Sequence, residues 1–157
     1  MVRFVVIVAF FLAGCSRTDP TLPELSRMQK EIHGLTMLAE TGMTEQEYSQ
    51  RLGDMLLRVG DWQNIDPRSD VNIVQHIVTA IEAYKEAKNY FGPYLSTIEE
   101  KELVELEVFR RFPRLPGLME PYEPGTYFRS GVVRGLWTIG AEEEALGAKL
   151  IAEKSGE

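Results

Sequence analysis

From Leu25 onward, apolar side chains return every three or four residues through almost the whole chain, and this spacing constrains the fold more than any other feature. The period lines such residues along one face of an α-helix, whereas a half-buried strand requires strict alternation. Leu25, Met28, Ile32, Leu35 and Leu38 make a first row, with Thr21 and Glu24 in capping-box spacing before it and Gly42 as a stop. Thr44 and Glu47 repeat the capping signature, and Tyr48, Leu52, Met55, Leu56 and Val59 make a second row that ends at Gly60. These two segments are expected to form a helical hairpin with a very short turn.

Asn64, Asp66 and Pro67 mark a loop over 62–69, after which Ser69 or Asp70 is placed to cap a third helix. The apolar residues from Val71 to Phe91 cover more than one face, as in a helix packed on several sides. Gly92 and Pro93 end it, and Ser96 with Glu99 or Thr97 with Glu100 fits the start of a fourth helix with Leu103, Leu106, Phe109 and Phe112 inward. Pro113, Pro116, Pro121 and Pro124 then break the helical pattern, which leaves a long loop over 113–125. A last helix is expected from Tyr127 to Lys154. The fold class read from this pattern is all-α: a single helical domain over 24–157, a small bundle of about five helices with a long Pro-rich loop before the last one.

The last helix carries Gly131, Gly135, Gly140 and Gly147. A glycine costs about 1 kcal/mol relative to alanine inside a helix, so four of them point to a packing reason. Close packing within the chain or a helix break is the first expectation, and a self-association face the second.

The N-terminus has a different character. Arg3 is followed by an unbroken apolar run from Phe4 to Ala13, too short to cross a bilayer, which needs about 20 apolar residues. The run ends in Leu12-Ala13-Gly14-Cys15, which resembles the lipobox of bacterial lipoproteins. The resemblance covers residues 1–15. It implies a signal peptide over 1–14, alkylation of the Cys15 thiol with diacylglycerol, cleavage before Cys15, and acylation of the new amine, with palmitate among the acyl chains. Residues 15–23 then make a short tether. Each buried methylene contributes about 0.8 kcal/mol, so two or more chains hold a protein stably at a membrane that it does not cross. Ser16, in place of the aspartate of an inner-membrane retention signal, implies an outer-membrane position facing the periplasm in a Gram-negative host.

The chemistry available to the body is narrow. Cys15 is the only cysteine, which rules out disulfides within the chain and thiolate metal clusters. Neither His33 nor His76 follows a glutamate at the spacing used by di-iron bundles, and no phosphate loop, nucleophile elbow or zinc-protease motif occurs. The acidic runs over 99–107 and 142–144 read as solvated faces, and His76 as a core or boundary residue. A net charge of −7 opposes nucleic-acid binding. The expectation is therefore no enzyme, no cofactor, no metal and no nucleic acid.

The best candidate contact surface is Arg110, Arg111, Phe112 and Arg114 at the start of the Pro-rich loop, with Tyr122 and Tyr127 further on, since arginine and tyrosine are enriched at interfaces. Together these readings describe a lipid-anchored bacterial envelope protein that touches the membrane through acyl chains on Cys15. Its body would act as a non-catalytic interaction or scaffold protein toward an envelope protein. The alternative is a carrier that holds a small apolar ligand or lipid in a pocket between helices.

Overall fold

A computed structural model describes residues 19–91 and 96–156. The leader and Cys15 lie outside the described residues, as do Gly92 and Pro93. Among the described residues, six α-helices and a three-stranded sheet follow one another as α1 (Leu22–Thr41), α2 (Glu45–Val59), α3 (Val71–Asn89), β1 (Thr97–Glu99), α4 (Glu100–Glu105), α5 (Glu107–Arg111), β2 (Pro121–Glu123), β3 (Thr126–Phe128) and α6 (Arg129–Ser155). None of these helices is long and apolar enough to cross a membrane.

The helical hairpin forms as its spacing predicts. Leu25, Met28, Ile32 and Leu35 of α1 and Tyr48, Leu52, Met55 and Val59 of α2 are buried, and the two helices pack together. At Gly42 and Gly60 the backbone takes φ of +78° and +76°, which only glycine adopts without strain, and both helices stop there. Thr44 and Glu47 form the expected capping box. Thr21 and Glu24 do not. Asp19 takes that place, its carboxylate accepting from the Thr21 N–H and hydroxyl at 2.9 and 2.7 Å, and Pro23 sits in the first turn, where no N–H is needed.

The all-α expectation fails between α3 and α6. The single fourth helix is two short ones, because the backbone at Leu106 is extended (ψ 136°) and the axis restarts there. Five glutamates between 99 and 107 repel one another along a continuous helix. The break lets Val108 and Phe112 enter the core, while Leu106 and Phe109 stay half-buried. Neither Ser96 nor Thr97 provides the cap: Glu99 and Glu102 form the capping box of α4.

The Pro-rich segment is ordered into a 3₁₀ turn over Leu115–Leu118 and a hairpin of β2 and β3. Pro116 lies in the first turn of the 3₁₀ helix and Pro121 opens an edge strand, positions at which a missing N–H costs nothing. β3 is central in the order β1-β3-β2, pairing Tyr127 with Ile98 on one side. Tyr127 and Phe128 therefore belong to this strand, and α6 starts only at Arg129.

Helix α6 is the axis of the domain, packing most extensively on α3 and also on α1 and the 3₁₀ turn. Its glycines explain the closeness. A Cβ at Gly140 would lie 2.8 Å from the Tyr84 ring and one at Gly135 only 2.6 Å from Leu115 Cδ1, while Gly147 faces His76 Cβ at 3.5 Å. Gly131 is the exception, with nothing within 4 Å of that position.

The core includes two buried tyrosines with polar handles. The Tyr48 hydroxyl donates to the Tyr84 carbonyl at 2.6 Å, and the Tyr84 hydroxyl bonds Thr36 Oγ1 at 2.8 Å. Burial pushes the Tyr84 phenol up to about 12 and also raises that of Tyr48.

Asp70 caps α3, its carboxylate accepting from the N–H groups of Asn72 and Ile73 at 2.9 and 3.2 Å, and Lys154 of α6 reaches it at 2.7 Å. The Lys154 bond and these N–H bonds hold the Asp70 carboxyl below its usual range. Asp70→Ala should cost about 1–2 kcal/mol, read as a lower urea midpoint at neutral pH. With a folded pKa below the unfolded one, this contribution is complete above about pH 4 and fades as the pH falls through the folded value, so parent and variant converge in acid.

Candidate functional site

The six residues singled out over 110–127 do not form one surface. Arg111 turns back onto α3, forming an ion pair with Glu82 and lying 3.5 Å from Glu86. Arg114 pairs with Glu142 of α6 and lies 3.9 Å from Glu143. Phe112 is a core residue, 4% exposed, and Tyr127 is half-buried on the inner side of β3. Arg110 is exposed at the end of α5. Tyr122 stands clear on β2 with 57% of its surface in solvent. Half of the presumed contact set, Arg111, Phe112 and Arg114, thus fastens the α5 segment to the bundle.

Around Tyr122 a cleft of about 450 Å³ opens. Leu118 and Pro121 contribute one part of its lining, and Tyr122 and Phe128 contribute two rings in tilted contact, 4.7 Å between centroids at 56°. The first turns of α6 contribute Ser130, Gly131 and Arg134, and Glu120 adds a carboxylate. Arg134 and Glu120 are exposed, and among the described residues Arg134 Nε reaches only the Ser130 carbonyl, at 3.4 Å. Gly131 keeps this side open, since no side chain occupies the space its Cβ would take. The cleft offers ring faces together with a guanidinium, a carboxylate and hydroxyls, a set that packs against apolar atoms and donates and accepts hydrogen bonds in one place.

A second polar cluster lies midway along α6. His76 Nδ1 of α3 is 2.6 Å from Glu143 Oε2, and His33 Nδ1 of α1 is 3.3 Å from Glu144 Oε2, with Gln29 also donating to Glu144. Glu144 is 6% exposed, so the run 142–144 is not the solvated face that its composition suggests. Its three carboxylates reach the α5 segment, α3 and α1 in turn, which ties those elements to the central helix. A buried carboxylate needs such partners, because leaving one unpaired costs several kcal/mol.

Sequence reasoning found Tyr122 but missed Leu118, Phe128, Gly131 and Arg134. The usable signal was Gly131, the glycine placed nearest the start of α6. The hairpin that brings the two aromatic rings together left no trace, because three-residue strands are too short for alternation to be counted.

Compared with known proteins, the chain matches no family model, and no curated protein or solved structure is significantly similar to it.

Proposed function

We propose that this chain is a lipid-anchored bacterial envelope protein whose helical body works by contact rather than catalysis. The observation that carries the contact reading is the cleft beside β2, where Tyr122 and Leu118 stay 57% and 37% exposed along its wall. Large apolar side chains held out around a concave surface are a feature of binding sites. The anchoring reading rests on Leu12-Ala13-Gly14-Cys15. A carrier would need a chamber between helices, and the space between α1, α3 and α6 is filled by Tyr84, Ile77, Ile81 and Leu136.

Two measurements test the two halves. Cys15→Ser should move the protein from the membrane to the soluble fraction, and unchanged fractionation rejects the anchor. Native mass spectrometry of the protein released from its own membrane should show an added envelope component that Tyr122→Ala loses. A small apolar molecule retained equally by parent and variant would establish the carrier instead.

A further inference from the structure

We infer that the cleft between the β2–β3 hairpin and the start of α6 takes a saccharide, an acetamido-sugar unit of a glycan. This rests on the contact reading of the same cleft and names its ligand class. A pyranose has two unlike aspects: axial C–H groups that lie on an aromatic face, and equatorial hydroxyls that need both donors and acceptors. The cleft meets both. Tyr122, 57% exposed and in tilted contact with Phe128 at 4.7 Å, lines the opening with an aromatic ring. Such a face is apolar over its area and polar only at the hydroxyl.

The hydrogen-bonding groups are of both kinds. Glu120 accepts only, Arg134 donates only, and Ser130 does either. Neither charged group is used up in an ion pair among the described residues; the Arg134 Nε contact to Ser130 O is 3.4 Å long. Leu118 and Pro121 supply an apolar corner for a methyl group, which selects an acetamido sugar over a plain hexose. At about 450 Å³ the cleft is of the size that accommodates a small ligand, about 300–1,000 Å³.

Gly131 keeps the helix side of the cleft open: Gly135 and Gly140 closely face a neighbouring side chain, whereas a Cβ at Gly131 meets nothing within 4 Å. Other ligand classes fit less well. A nucleic acid is opposed by the net charge of −7. An apolar peptide gains nothing from a carboxylate and a guanidinium beside the rings, both of which it would have to desolvate.

The test is calorimetric titration of the full acylated chain, in a detergent without a sugar headgroup, with the β-1,4-linked trimer of N-acetylglucosamine as the probe. Two variants accompany the parent. Tyr122→Ala removes the exposed ring, and Gly131→Leu adds a side chain to the helix side of the cleft at a position whose Cβ meets nothing within 4 Å. Helicity by circular dichroism should match the parent in both. The parent should bind the trimer, and each variant should weaken binding by at least about tenfold, the loss of one good stacking contact. Absence of binding to the parent, or equal binding by parent and both variants, overturns the saccharide assignment. If the cleft variants instead lose a protein seen in native mass spectra while the trimer never binds, the contact reading stands and the ligand class is wrong.

Discussion

Gly140→Leu should destabilise the domain by at least about 3 kcal/mol, lowering its melting temperature by roughly 10 °C, while the same change at Gly131 leaves it near the parent's. The two positions lie nine residues apart in one helix and gain the same helix propensity, about 1 kcal/mol over glycine for a good helix former. They differ in what a side chain meets. At Gly140 the first added carbon already falls 2.8 Å from two atoms of the Tyr84 ring, and that ring has no solvent exposure. Tyr84 cannot swing aside: its hydroxyl bonds Thr36, and its carbonyl accepts from the buried Tyr48 hydroxyl. Relief must come from moving α6 off α3, which opens the largest contact in the fold. Thermal melts of Gly140→Leu, Tyr84→Ala and the double variant check the cause. If the ring is the obstacle, the double variant is more stable than the two single losses added together.

Phe112→Ala should cost about 3–4 kcal/mol of stability, as for a phenylalanine truncated inside a core. Phe112 is 4% exposed, and the 3₁₀ turn begins beside it, with the Leu115 N–H bonded to the Phe112 carbonyl at 2.9 Å. Leu115 in turn lies over Gly135. Losing the ring should therefore loosen the α5 segment and the turn together, seen as faster amide exchange over 107–119 along with a lower denaturant midpoint. A variant that kept the parent's midpoint and lost only a binding partner would restore Phe112 to the contact surface on which its sequence neighbours place it.

What the sequence discloses depends on the length of the element. Helices α1, α2 and α3 each carry four or more core residues in period, and most of their inward faces are read correctly, though Leu38 and Val71, taken with the apolar rows, are 37% and 71% exposed. The glycines of α6 likewise announce close packing, which Gly135 and Gly140 bear out, whereas a Cβ at Gly147 would make only ordinary contact. Between Ser96 and Phe128 no element exceeds six residues, so neither helical nor strand periodicity can assert itself, and proline patterns there are compatible with a loop, a 3₁₀ turn or an edge strand alike. The candidate site suffers from the same limit. Arg111 and Arg114 resemble interface residues by type, but long-range carboxylates on α3 and α6 decide which way they turn, and no local pattern encodes that.

The central position of α6 also bears on how the chain reaches its folded state. The helix that α3, α1 and the 3₁₀ turn all pack against is the last of the described elements to be synthesised. Residues 19–128 can pair α1 with α2 as they appear, but Tyr84, Leu115 and Ile77 must wait for Gly140, Gly135 and Gly147. A chain made from its N-terminus therefore closes this core only once α6 has appeared, and until then the apolar faces of α1 and α3 stay open to whatever binds unfolded chains.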